Sequence, residues 1–121
     1  MWMFTKYGFF SVVSARKDFF SKEIDINTLM IRARNKKHLE NLIENFESLK
    51  DCEILETKNT DYRYRIFVPK QDWSEIASKM TNEIDYDNFK SKVYQTIKDN
   101  DFCHSLGDVW SVMYRYQKES E

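Results

Sequence analysis

Twice in this chain a short run alternating apolar with polar or larger side chains leads into a helical pattern. Leu29-Met30-Ile31-Arg32-Ala33 precedes one amphipathic segment and Tyr64-Arg65-Ile66-Phe67-Val68 precedes another. Side chains along a strand alternate between faces, so each run presents one apolar row that must be buried against another element. Each run also has a strand-like segment before it, which makes the local pattern ββα in both cases. Two ββα units form one antiparallel sheet with both helices on the same face.

The remaining segments fit this frame. Met1 to Phe4 is an apolar start without the basic region, long apolar stretch and cleavage site of a signal peptide, and it is too short to span a bilayer. It is expected to be a core strand, turned at Gly8 into a second strand over Phe9–Arg16. A polar loop over Lys17–Asn27 and a strand over Thr28–Arg34 follow. Asn35 is a suitable N-cap for a helix carrying Leu39, Leu42, Ile43 and Phe46 and ending near Leu49. The second unit is expected to run as a strand at Cys52–Thr57, a turn at Lys58–Asp61 and a strand at Tyr62–Val68, stopped by Pro69. Asp72 and Glu75 then resemble a capping box for a helix with Trp73, Ile76, Ala77 and Met80 on its apolar stripe.

Two more helices close the chain. Asp85 or Asp87 is placed to cap the first, which carries Phe89, Val93 and Ile97, and the second carries Leu106, Val109, Trp110 and Met113. Gly107, inside that last helix, suggests close packing against a neighbour. The expected fold is therefore α+β, a single domain over residues 1–121, with an antiparallel sheet from two ββα units followed by two C-terminal helices.

Several of these runs occur together and in order: Met1-Trp2-Met3-Phe4-Thr5, Gly8-Phe9-Phe10-Ser11-Val12-Val13, Ile31-Arg32-Ala33-Arg34, Tyr86-Asp87-Asn88-Phe89-Lys90 and His104-Ser105-Leu106-Gly107-Asp108-Val109-Trp110-Ser111-Val112-Met113. In this they resemble a family of short conserved hypothetical proteins of bacteria and phages whose function is not established. The resemblance spans nearly the whole chain and implies a single domain, but transfers no catalytic residue. The occurrence of such sequences in phages suggests a small inhibitor or sponge acting on a bacterial defence component.

Composition narrows the chemistry. Nineteen basic and twenty acidic residues leave a net charge of −1, so no global field draws the protein to DNA or to an anionic membrane. Two cysteines, Cys52 and Cys103, are too few for a disulfide framework or a four-ligand zinc site and fit a reducing, cytoplasmic setting. With two glycines there is no phosphate-cradling loop of the P-loop or dinucleotide-binding kind. No metal and no cofactor are expected. Cys103, His104 and Asp108 are not spaced as a nucleophile with an oriented base.

Arginine supplies the best local signal. Alternation puts Arg32 and Arg34 on one face of their strand and Arg63 and Arg65 on one face of theirs, opposite the apolar rows. Lys36 follows at the start of a helix, where the dipole favours an anion. Arg32, Arg34, Lys36, Arg63 and Arg65, with Asn88 beside Tyr86 and Phe89, are the candidate site for a phosphorylated small ligand. The alternative for the arginines is a solvated face paired with Glu53 and Glu56, or a face covered by the last two helices. Trp110, Tyr114 and Tyr116 are the candidate interface for a bacterial protein or a second copy of the chain. A binding module is the leading expectation. The rivals are a metal-dependent hydrolase of a phosphorylated substrate, with acids from Asp85, Asp87 and Asp108, and an assembly protein using the last helix.

Overall fold

The alternation around Ile31 and Ile66 is realised in a five-stranded antiparallel sheet with strand order β1-β2-β3-β5-β4. The computed structural model describes residues 1–121. The strands are β1 (Trp2–Thr5), β2 (Gly8–Arg16), β3 (Ile24–Ala33), β4 (Leu55–Glu56) and β5 (Tyr64–Pro69). Helix α1 (Lys36–Asn45) follows β3, and α2 (Lys70–Asn82) follows β5. The chain divides into two compact units, Met1–Ile84 and Asp85–Glu121, the second holding α3 (Phe89–Ile97) and α4 (Asn100–Glu119).

Cross-strand register settles which residues share a face. Val12 lies opposite Ile31, and Ile31 opposite Ile66, so the three form one row across β2, β3 and β5. This row, with Phe10, Ala33 and Val68, is buried in the same cluster as Leu39 and Leu42 of α1 and Trp73 and Ile76 of α2. Both helices therefore cover one face of the sheet, as expected for two ββα units. Burying a Leu, Ile or Phe side chain contributes roughly 1.5–3 kcal/mol, so this one layer supplies most of the unit's cohesion.

Several boundaries differ from the sequence expectation. β3 begins at Ile24 because its ladder with β2 continues beyond a register shift at Ser14/Ala15, pairing Ala15 with Asp25 and Arg16 with Ile24. The hairpin loop is correspondingly shorter and is held by Asp18, whose carboxylate accepts from the amides of Phe20 and Ser21. α1 stops at Asn45, since Phe46 is extended, and a 3₁₀ turn over Glu47–Leu49 completes the descent. Only Leu55 and Glu56 of the expected Cys52–Thr57 strand pair in the sheet.

The caps show the same mixture. Asn35 caps α1 as expected, accepting from the Lys37 amide. The Asp72 capping box does not form: Pro69 is itself the residue before the first turn of α2, and Asp72 sits inside that turn. There its charge still favours the positive end of the helix dipole. In the second unit the cap of α3 is Asn88, accepting from Ser91, and neither Asp85 nor Asp87; Asp99 caps α4 by accepting from Phe102.

The two glycines have opposite roles. Gly8 adopts φ +144°, a conformation side-chain-bearing residues rarely take, and a Cβ there would overlap the His38 ring. His38 is buried, and its Nδ1 accepts the Phe9 amide at 3.2 Å, which ties α1 to the start of β2. At Gly107 a Cβ would meet nothing within 4 Å, so close packing is not the reason for a glycine there. Gly8→Ala is accordingly expected to destabilise the protein by at least ~2 kcal/mol through strain and overlap, whereas Gly107→Ala stabilises it by up to ~1 kcal/mol through helix propensity. Urea unfolding midpoints of the two variants check both signs.

Tyr7 adds a pH-dependent element. It is buried, its hydroxyl donates to Glu83 at 2.7 Å, and Lys6 reaches the same carboxylate at 3.2 Å. Burial first, then the hydrogen bond and charge of Glu83, hold the phenol well above its ordinary range. The folded state thus keeps a proton that the unfolded state releases near pH 10. This contribution to stability is complete below about pH 10 and declines as the pH rises above it. Thermal unfolding of the wild type is expected to fall more steeply above that pH than that of Tyr7→Phe.

Candidate functional site

The sheet face opposite the helices carries the arginines. Cross-strand pairing makes Trp2, Ser11, Arg32, Arg65 and Leu55 one continuous row over all five strands. A second row holds Val13, Met30 and Phe67, and a third begins with Phe4 opposite Phe9. None of these positions carries a carboxylate.

Tyr62 organises the centre of the face. The β4–β5 connection turns at Asn59, whose φ of 63° is left-handed, and the Thr57 amide closes the turn on the Arg63 carbonyl at 2.8 Å. Asparagine tolerates this conformation better than most residues. Arg65 secures the returning chain: its Nη2 donates to the Tyr62 carbonyl at 3.0 Å and to Thr60 Oγ1 at 3.5 Å. Tyr62 is only 4% exposed, and its ring centroid lies 4.6 Å from the Arg32 guanidinium carbon and 4.4 Å from that of Arg34. Each contact of this kind contributes roughly 0.5–2 kcal/mol, depending on solvent access.

The partners of the guanidiniums differ in kind. Arg34 meets Asp61 at 3.4 Å and Arg63 meets Glu56 at 2.6 Å, both in exposed pairs of the sort that add little stability. Arg32 and Arg65 use neutral acceptors instead. Arg32 Nη2 donates to Ser11 Oγ at 2.7 Å, and Arg65 reaches backbone, the Thr60 hydroxyl and the Met30 sulfur at 3.8 Å. The Nε–H of each is buried without a hydrogen-bond partner. An unmet buried donor costs about 1–3 kcal/mol.

Beside this centre lies an aromatic cluster. Phe4 stacks on Phe9 with ring centroids 4.5 Å apart, Trp2 meets Phe9 edge-on at 5.8 Å, and Phe9 is 6.4 Å from Tyr62. Trp2 is 69% exposed and Phe67, two residues beyond Arg65 on β5, 44%. The expected site residues are thus divided. Arg32, Arg34 and Arg65 come together around Tyr62, Arg63 turns to Glu56, and Lys36 is exposed in the first turn of α1. The sequence expectation omitted Trp2, Phe4, Phe9 and Tyr62. Strict alternation from Arg32 through the cross-strand register points to the first three, whereas Tyr62 comes from a turn.

Asn88 belongs to the second unit, where it caps α3. With Tyr86, Ser91 and Gln95 it lines an open depression of about 190 Å³, in which Lys92 pairs with Asp85 at 3.1 Å. Trp110 and Tyr114 stack at 5.1 Å on an exposed face of α4, and Tyr116 is exposed as well. Lys90 approaches the Trp110 ring at 5.6 Å.

Nucleophilic chemistry has little support. Burial, followed by the charges of Asp51 and Asp72, pushes the Cys52 thiol up, and burial followed by Asp99 does the same for Cys103. Both changes disfavour the reactive thiolate. His104 and Asp108 are 3.9 Å apart on an exposed helix surface. No group of three His, Cys, Asp or Glu side chains is placed to hold a metal ion, which argues against the hydrolase alternative. No helix is long and apolar enough to cross a membrane.

Tyr62 and Arg34 form a coupled pair that a double-mutant cycle can isolate. The cycle of Tyr62→Leu and Arg34→Ala is expected to give a coupling of about 0.5–1 kcal/mol in urea unfolding. Additive effects would mean that the ring does not hold this guanidinium. No protein-family model, curated protein or solved structure matches this chain.

Proposed function

We propose that the protein is a non-enzymatic binding module whose open sheet face receives the phosphate of a phosphorylated ligand. One observation carries this reading: Arg32 and Arg65 lie opposite each other in adjacent strands, in a cross-strand row that holds no carboxylate, and spend their hydrogen bonds on neutral acceptors. Their charges therefore remain available to an anion, and guanidinium suits phosphate because its planar fork donates two parallel hydrogen bonds. Arg34 adds a third cation at the rim once its weak pair with Asp61 opens. The Tyr62 ring limits the freedom of Arg32 and Arg34, so less ordering remains to be done when the ligand arrives.

The surrounding rings give the same ligand an apolar portion to meet, which favours a nucleotide over inorganic phosphate. The likeness to short phage and bacterial proteins fits a cytoplasmic sponge that sequesters a phosphorylated signal of a bacterial defence system. Calorimetric titration against nucleoside mono-, di- and triphosphates tests the reading. Wild type is expected to bind at least one of them, and Arg32→Gln with Arg65→Gln to lower affinity by tenfold or more while far-ultraviolet circular dichroism stays unchanged. Unaltered affinity in the double variant, or no response to any phosphate compound, would count against it.

A further inference from the structure

The basic centre and the aromatic rings form one surface wider than a single nucleotide needs. We propose that its ligand is a single-stranded nucleic acid lying across the strands. This rests on the phosphate-binding reading above and deepens it.

The row from Trp2 through Ser11, Arg32 and Arg65 to Leu55 crosses five strands, and four interstrand steps of about 4.8 Å give it a width of roughly 19 Å. Exposed ring surface lies on both sides of Arg32, at Trp2 two strands away on β1 and at Phe67 on β5, two residues along that strand from Arg65. One base needs only one platform. Two platforms separated by a cationic centre suit at least two bases joined by a phosphate, since stacking on aromatic side chains and backbone contact with cations are the two components of single-strand recognition. The rows through Arg32 and Met30 carry no carboxylate, so a polyanion lying on them meets repulsion only from the surroundings, from Asp25 opposite Ala15 farther along β3 and from Asp61 and Glu56, the last two already paired with arginine.

A duplex does not fit this chemistry. Its base faces are hidden in the stack, which leaves Trp2 and Phe67 without partners, and a net charge of −1 supplies no wider field to compensate. Engagement of three phosphates by Arg32, Arg34 and Arg65 sets the expected salt dependence: a slope of log K against log salt of about −2 for a single strand.

Fluorescence anisotropy with end-labelled ten-residue oligothymidylate and oligouridylate, the corresponding duplexes, and thymidine and uridine monophosphates as competitors is the decisive experiment. Single strands are expected to bind at least tenfold more tightly than either the duplexes or the mononucleotides. Trp2→Ala and Phe67→Ala, both exposed and both checked by circular dichroism, are each expected to weaken single-strand binding by roughly fivefold to a hundredfold. A mononucleotide that binds as tightly as the oligomer, a duplex that binds equally well, or indifference to both aromatic substitutions overturns the single-strand proposal but leaves the phosphate site standing. Failure of every oligomer and every mononucleotide to bind overturns both.

Discussion

The register of β3 between β2 and β5 is the constraint on which the first unit depends. With Ile31 set between Val12 and Ile66, every apolar side chain of the central row turns to the helices and Arg32 turns away beside Arg65. A slip of one residue would exchange the faces, exposing Ile31 and driving guanidiniums under α1 and α2, where an unpaired charge is very costly. Core and basic face are consequences of one alternation. The close approach of His38 to Gly8 reinforces it by holding α1 against the start of β2.

On the open face, location matters more than amount of charge. Nineteen cations balanced by twenty anions give the protein almost no net field, yet Arg32 and Arg65 sit side by side with hydroxyl, carbonyl and sulfur atoms as partners. Such acceptors orient a guanidinium without neutralising it. Tyr62 contributes in a related way, because a ring attracts two cations without adding negative charge of its own. Carboxylate partners in these positions would have given a paired surface with little to offer an anion, as the Arg63–Glu56 pair illustrates. Binding by this face needs no activated nucleophile, and both thiols are shifted away from that role by burial and neighbouring acids.

The second unit is stabilised locally by its helix caps. Asn88 and Asp99 each accept an amide hydrogen from the first turn, at Ser91 and Phe102, and Val93 and Leu106 are its buried side chains. The exposed stack of Trp110 on Tyr114 places ring surface on α4 that its own helix does not cover. Gly107 lies one residue beyond the buried Leu106 and faces open space, which shows how weakly a lone glycine in a helical pattern reports on packing.

Local pattern was sufficient for the elements. Period-two alternation around Ile31 and Ile66 and helical spacing around Leu39, Leu42, Trp73 and Ile76 depend only on neighbouring residues, so the two ββα units and the opposite placement of arginine were legible from the chain. Ladder extension to Ile24, the shortened β4 and the Pro69 start of α2 were not, because each depends on a partner strand or on which of several competent caps is used. The same division applies to the site. Sequence alone determined that Arg32 and Arg65 leave the core, since burying them unpaired is prohibitive. Only the tertiary structure decided that they are neighbours without carboxylates, that Arg63 is diverted to Glu56, and that Tyr62, Phe9 and Trp2 join them, because strand order and loop closure bring together residues far apart in the chain.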